Sequence, residues 1–400
     1  MPKVTLQDIE KAKDTIKDIV KKTDILESAI LSSMTGANIY YKCENLQKTG
    51  SFKVRGACNK IANLTEEEKS HGVIASSAGN HAQGVALGAK MNNIDATIVM
   101  PATAPLAKVT ATKSYGARVV LEGLVYDDAY AKAVELQKET GATFLHPFND
   151  EYVIAGQGTI GLEIFEQMNN KVDTILCPIG GGGLIAGVAV AAKAKNPNVK
   201  VIGVQTANIP SMYESMKTGK VTSAFKATSV ADGISVKTVG ELTFSIVKEL
   251  VDEVILVEED EIAEGLLFLM ENQKVVSEGS GAVTTAAILS KKYKPKSGEN
   301  VVCIISGGNI DVNTLSRIVG IALTKSGRRF SFNTVIQDKP GGLAELTKVL
   351  SALDANIITA NLSSTNELGK LNAHMTMETF NHEHIDRIIK AVSQEGFIIK

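Results

Sequence analysis

Four hundred residues exceed one ordinary domain, so two or three folded units are expected. Hydrophobic residues make up 44% and charged residues 22%, the balance of a water-soluble globular chain that can bury a large core. The formal net charge is −2 and no basic block stands out, which argues against nucleic acid or an anionic membrane as the main partner.

The chain opens on Thr5-Leu6-Gln7-Asp8, which resembles a capping box, and Ile9, Ile16, Ile19 and Val20 then share one helical face. No signal peptide precedes it, and no apolar run anywhere is long enough to span a bilayer. Cys43, Cys58, Cys177 and Cys303 form no C-x-x-C pair, and three lie in apolar runs. They read as free thiols of a reducing compartment, so a cytoplasmic location is expected.

From about residue 38 to 310, short apolar runs alternate with helical patterns. Strands are predicted at 72–76, 96–100, 118–121, 143–145, 174–177, 200–205, 254–257 and 300–305. Helices are predicted at 81–91 and at 104–115, the latter with Pro105 in its first turn. This rhythm predicts an α/β fold of parallel sheets with helices on both faces, and it points to the loops after strands as the place for chemistry. The rhythm breaks at the polar stretch Lys325-Ser326-Gly327-Arg328-Arg329. Beyond it the order is strand 330–337, helix 343–353, strands 356–363 and 371–379, helix 384–395 and a short strand 397–399. That βαββαβ order is ferredoxin-like.

Four stretches carry the residue types that chemistry needs. In Ser51-Phe52-Lys53-Val54-Arg55-Gly56-Ala57, a lysine sits beside an aromatic, after a Gly/Ser turn. An amine that attacks a carbonyl has to be partly desolvated with a depressed pKa. Taken alone, these residues favour an ordinary surface lysine. Ser76-Ser77-Ala78-Gly79-Asn80-His81 links a strand to a helix, where free N–H groups can take a carboxylate and Asn80 can hydrogen-bond a ring hydroxyl. As structural residues, Asn80 would be a helix cap and His81 a packing residue. Gly180-Gly181-Gly182-Gly183-Leu184 follows a strand and opens an apolar helix. Converging N–H groups there suit a phosphate, and a close strand–helix crossing is equally open. Ser306-Gly307-Gly308-Asn309 follows the last predicted strand of the large unit and also reads as a plain turn.

The longer string Lys42-x-Glu44-x-x-Gln47-x-Thr49-x-Ser51-Phe52-Lys53-x-Arg55-Gly56-Ala57 resembles the cofactor-lysine motif of the fold-type II pyridoxal-phosphate enzymes, and within them the threonine/serine dehydratase branch. The resemblance implies a two-lobed, tryptophan synthase β-like catalytic domain over 1–325, its smaller lobe at roughly 45–150. It implies pyridoxal 5′-phosphate held covalently by Lys53, with Phe52 near the ring, the 5′-phosphate on Gly180, Gly181, Gly182, Gly183 and Leu184, Asn80 on O3′ and Ser306 on the pyridine nitrogen. Ser77, Ala78, Gly79 and Asn80 would contact the substrate carboxylate, and Lys53 would remove the Cα proton. In serine racemases of this superfamily the position of Ala78 is a serine acting as a second acid/base, so Ala78 favours elimination. Ala231-Asp232-Gly233 resembles a loop where relatives bind a potassium or magnesium ion.

Asp338-Lys339-Pro340-Gly341-Gly342-Leu343, with Asn356 opening the next strand, resembles the ACT regulatory domain, here 326–400. It implies pairing of two copies, hence a homodimer or homotetramer, and an amino-acid effector such as isoleucine or valine near Asp338, Gly341, Gly342, Leu343 and Asn356. A structural dimerisation domain is the alternative. The activity implied is dehydration of L-threonine to 2-oxobutanoate and ammonia, with L-serine also accepted, at the entry to isoleucine synthesis. A serine dehydratase or racemase on the same scaffold is the nearest alternative. A catalytically silent amino-acid sensor is the alternative of another class, against which the intact Lys53, tetraglycine and Ser306 set argues.

Overall fold

The computed structural model describes residues 4–399 and divides between Leu315 and Ser316 into two compact units. In the first, the strands in chain order are β1 Ile25–Glu27, β2 Asn38–Cys43, β3 Val73–Ser76, β4 Ala96–Met100, β5 Arg118–Leu121, β6 Thr143–Phe144, β7 Thr174–Pro178, β8 Lys200–Thr206, β9 Glu253–Val257 and β10 Asn300–Ile305. They build a four-stranded sheet, β5-β4-β3-β6, and a six-stranded sheet, β1-β2-β10-β7-β8-β9. β3 and β7 are buried throughout, and β10 from Val301 onward. Their near-continuous apolar sequence is that of parallel strands covered on both faces.

One pairing departs from the expected all-parallel arrangement: β1 runs antiparallel to β2 at the sheet edge. Its three residues are too few to display a period, and only the seven-residue helix Ala29–Thr35 connects the two strands. A link that short suits an antiparallel neighbour better than a parallel crossover. The predicted amino-terminal capping box is formed, with Thr5 Oγ1 accepting the Asp8 N–H and Asp8 Oδ2 accepting the Thr5 N–H. Its helix, Leu6–Ile16, stops short of Ile19 and Val20, which are half-buried beyond it.

Helix Glu151–Gln167 crosses helix Gly183–Lys195 at backbone contact. A Cβ on Gly187 would lie 2.3 Å from the Ile154 carbonyl oxygen, so only glycine admits this crossing. The crossing matters because the second helix begins at the tetraglycine loop.

A buried ionic cluster ties helix Lys53–Ala62 to the rest of this unit. Arg55 is fully buried and reaches two carboxylates: Nε and Nη2 donate to Glu44 at 2.8 Å each, and Nη1 and Nη2 donate to Glu163 at 2.6 and 2.9 Å. Lys42 Nζ donates to Glu163 Oε2 (2.6 Å), the Thr23 carbonyl (2.7 Å) and Gln167 Oε1 (2.8 Å). Burial alone would raise the Glu44 carboxyl, but the charge and hydrogen bonds of Arg55 outweigh it and hold Glu44 below the usual carboxylate range. Burial lowers Lys42 against the pull of Glu163.

The second unit places β11 Arg329–Gln337, β12 Asn356–Ser364 and β13 Lys370–Glu378 in an antiparallel sheet of order β11-β13-β12. Helices Gly342–Ser351 and His382–Gln394 cover it through Leu346, Leu350, Ile388 and Val392, packed with Phe332, Ala373, Met375 and Met377. The expected last strand at 397–399 does not form. Gly396 turns the chain with φ +83°, the Phe397 N–H returns to the Val392 carbonyl, and Phe397 and Ile399 serve as core contacts instead.

Breaking the ionic cluster from one side leaves buried charge uncompensated, which costs about 3–5 kcal/mol. Glu163→Ala is therefore expected to lower the midpoint of thermal unfolding by roughly 5–10 °C, read by circular dichroism. An unchanged midpoint would show that Lys42 and Arg55 do not depend on Glu163.

Candidate active site

The carboxyl ends of β3, β6, β7 and β10 surround one cavity of about 760 Å³, within the usual range for a small-molecule site. Phe52, Lys53, Ser77, Ala78, Gly79, Asn80, the four glycines 180–183, Leu184 and Ser306 all line it, so residues spread over 250 positions of sequence share one space.

Lys53 is the first residue of its helix. Its Nζ donates to the Pro147 carbonyl at 3.0 Å and lies 5.3 Å from the centre of the Phe52 ring. Among the described residues no carboxylate stands within ion-pair distance of it. Burial pulls its pKa down to about 8, partly opposed by the charge of Glu278. Phe52 is fixed from behind, its N–H donating to the Ser306 carbonyl at 3.1 Å. Ser306 itself is buried at the end of β10 and faces the cavity.

Asn80 opens helix Asn80–Met91 and is held at both ends of its amide. Nδ2 donates to Glu278 Oε1 and Oδ1 accepts from Asn309 Nδ2, both at 2.8 Å. The preceding loop is drawn in by the Gly79 N–H, which donates to Ser77 Oγ at 3.2 Å. His81 packs rather than reacts: it is buried, its Nε2 meets the Leu145 carbonyl at 2.8 Å, and burial lowers its pKa to about 3.

The tetraglycine loop leads into the thirteen-residue helix Gly183–Lys195. Gly182 has φ +97°, and a Cβ there would press on Met212 Cε at 2.8 Å and Thr243 at 2.9 Å. Thr243 Oγ1 donates to the Gly181 carbonyl at 2.6 Å. Among the described residues the N–H groups of Gly180, Gly181 and Gly182 donate to no protein acceptor. Unpaired N–H groups at the start of a long helix make an anion cradle.

The loop expected to hold a cation has other bonds. Asp232 is 64% exposed and accepts from Lys108 Nζ at 3.1 Å, while Ala231 is buried. Among the described residues no three of His, Cys, Asp and Glu gather as a metal-ligand group. In the second unit, Gly341 and Gly342 start the helix Gly342–Ser351, the Gly342 N–H donates to the Lys339 carbonyl, and the Asp338 N–H donates to the Gly369 carbonyl. Leu343 is half-buried on the sheet, and Asn356 Nδ2 donates to Glu378 Oε2 at 2.7 Å.

Glu278 and His146 are among the cavity residues that the sequence did not single out. Glu278 is buried, and burial, then the charge of Asp232, raise its pKa to about 7 against hydrogen bonds from Ser280 and Asn80. A lone acid in Ser277-Glu278-Gly279-Ser280-Gly281, among small residues before an apolar helix, was the available signal. His146 follows the two-residue β6, with nothing in its local sequence to distinguish it from a loop histidine.

Residues 16–307 match the family of pyridoxal-phosphate dependent enzymes, and residues 327–400 match the ACT domain. An L-threonine ammonia-lyase of Thermotoga maritima is 50% identical over 400 residues, 99% of each chain. The chain belongs to the pyridoxal-phosphate-dependent enzymes, on the threonine ammonia-lyase branch, and carries an ACT domain. Solved structures agree. The threonine deaminase isoform 2 of Solanum lycopersicum superposes with a TM-score of 0.75 at 38% identity, covering 80% of this chain and 96% of that one. The serine racemase of Dictyostelium discoideum superposes with a TM-score of 0.73 at 42% identity, covering 77% and 99%.

The residues present fit the cofactor of this pyridoxal-phosphate enzyme. An aldehyde needs a neutral amine, and Lys53 has a depressed pKa. A phosphate ester needs unpaired donors, and the tetraglycine loop has them. Distorting that loop tests the fit: Gly182→Ala, whose methyl group would press on Met212 and Thr243 at a φ of +97°, is expected to weaken pyridoxal-phosphate uptake at least tenfold, by absorbance titration of the cofactor-free protein. Uptake at the wild-type level would remove the loop from phosphate binding.

Proposed function

We propose that this enzyme deaminates L-threonine to 2-oxobutanoate and ammonia, and L-serine to pyruvate, at a site built on Lys53. The observation that carries the proposal is the Lys53 amine, held at a carbonyl instead of a carboxylate, in the same cavity as an unpaired N–H cradle. Pyridoxal phosphate, when bound, supplies the sink for the electron pair left at Cα. Lys53 would hold the cofactor through its Nζ, and the same amine, when free, would take the Cα proton. A pKa near 8 leaves enough neutral amine near neutral pH for that work. The loop at Ser77, Ala78 and Gly79, with the first turn of the Asn80 helix, binds the substrate carboxylate. Asn80, fixed by Glu278 and Asn309, would present its amide to the cofactor's ring oxygen. Ser306 would face the ring nitrogen with a hydroxyl, which does not enforce a protonated ring.

Racemisation of serine is the second reading, favoured by the likeness to a racemase structure. Ala78 weighs against it, since a methyl group cannot exchange a proton. We assign the catalytic domain to 1–325, with its smaller lobe at 45–150 around the four-stranded sheet, and the ACT domain to 326–400. The ACT unit answers to isoleucine or valine and pairs copies of the chain into a dimer or tetramer. The role fits the entry to isoleucine synthesis in the cytoplasm. Among the described residues no helix is long and apolar enough to cross a membrane.

The test is 2-oxo acid release from L-threonine and, separately, L-serine, with purified protein and added pyridoxal phosphate. Release from threonine, with serine equal or slower, is expected, and Lys53→Ala should abolish it. Release from serine alone would move the assignment to a serine dehydratase. D-serine in place of 2-oxo acid, by chiral analysis, would establish the racemase. In the same assay isoleucine or valine is expected to change the threonine kinetics. If neither alters rate or melting temperature, the ACT unit is structural.

A further inference from the structure

The loop after β6 does two jobs within two residues. The Pro147 carbonyl holds Lys53 Nζ. His146, just before it, lines the cavity with its ring edge-on to Phe148, 4.6 Å between centroids at 89°. Its Nδ1 lies 2.9 Å from the Asn149 N–H and 3.3 Å from that of Phe148. A ring nitrogen that accepts backbone N–H groups carries a lone pair, so the proton of the neutral ring sits on Nε2. Burial, and then the charge of Lys53, lower the His146 pKa to about 4, so the ring is neutral in the working range. Nε2–H has no acceptor among the described residues. The loop thus presents a fixed neutral donor next to the catalytic amine.

The other substrate groups already have partners in the proposed reading: the carboxylate at the Asn80 helix, the amine at the cofactor and the Cα proton at Lys53. The substituent oxygen on Cβ has none. We infer that His146 is the specificity-determining residue that donates its Nε2–H to the β-hydroxyl oxygen of the substrate. The inference rests on the deamination proposed above. As the Cβ–O bond breaks, its electron pair goes to the oxygen, and a donor placed there stabilises the developing charge. The leaving oxygen takes up the proton that Lys53 removed from Cα and departs as water, and His146 keeps its own, since a neutral imidazole N–H is far too weak an acid to release it. A site that hydrogen-bonds a substrate hydroxyl also disfavours analogues that lack one.

The test separates this role from support of the loop. His146→Asn keeps an acceptor near the Nδ1 position and withdraws the donor, and His146→Gln restores a donor near Nε2. Wild type and both variants are compared on L-serine and on β-chloro-L-alanine, whose chloride leaves without a hydrogen-bond donor. The ratio of kcat/KM for serine to that for chloroalanine is expected to fall about tenfold in the Asn variant and to recover in the Gln variant. The bound cofactor's absorbance should not change. An unchanged ratio in the Asn variant, whether both substrates fall together or neither does, overturns the inference and leaves His146 a loop support. A wild type that consumes chloroalanine but neither threonine nor serine overturns the deamination reading itself, and the inference with it.

Discussion

The site depends on a half-buried cation with no anion in contact. Lys53 meets a carbonyl, while Arg55, two residues on, meets two carboxylates, and Lys42 meets a third contact with one of them. Desolvation therefore has opposite outcomes at the two residues. Arg55 is locked in its charged form, with its pKa raised because Glu44 and Glu163 outweigh desolvation. Lys53 falls to about 8, so about a tenth of it is neutral at pH 7, where an ordinary lysine would be almost wholly charged. A lysine paired like Lys42 could anchor a helix but not attack an aldehyde.

The paired cations make the unpaired one usable. Arg55 clamps the Lys53 helix to the end of β2 through Glu44 and to helix Glu151–Gln167 through Glu163. The bridge between Ser51 and Gly307, with the Phe52 N–H on the Ser306 carbonyl, ties the start of that helix to β10. The Lys53 backbone is thus held from both sides, and its side chain keeps one hydrogen bond that the cofactor's aldehyde can replace. Glu278 is tuned differently. With a pKa near 7 it sits between acid and carboxylate, and it holds the Asn80 amide in either form.

Much of this was legible in residue order. β4 and β10 begin and end where the apolar runs do, because parallel strands buried on both faces leave an uninterrupted signature. Lys53, the tetraglycine loop and Asn80 were legible through the resemblance of the Lys42–Ala57 string to a known family, while their local sequence alone allowed a surface lysine, a strand–helix crossing and a helix cap. What stayed hidden depends on contacts between distant segments. β1 is three residues long and gains its meaning only from pairing with β2. The last strand failed because a short tail can bury Phe397 and Ile399 without pairing. His146 looks like any loop histidine until the N–H groups of Phe148 and Asn149 fix its tautomer and the fold turns it to the cavity. In the Ala231–Asp232 loop the carboxylate accepts a hydrogen bond from Lys108, a contact between distant segments that local sequence does not display.

The most direct test of the account is the titration of Lys53 itself in the cofactor-free protein. Lysines would be labelled competitively with a small acylating reagent across a pH series and quantified peptide by peptide by mass spectrometry. Lys53 labelling is expected to rise with a midpoint near pH 8, while exposed lysines follow the ordinary range near 10.5. A Lys53 midpoint in that ordinary range would contradict the claim that burial beside a lone carbonyl is what prepares this amine for the cofactor.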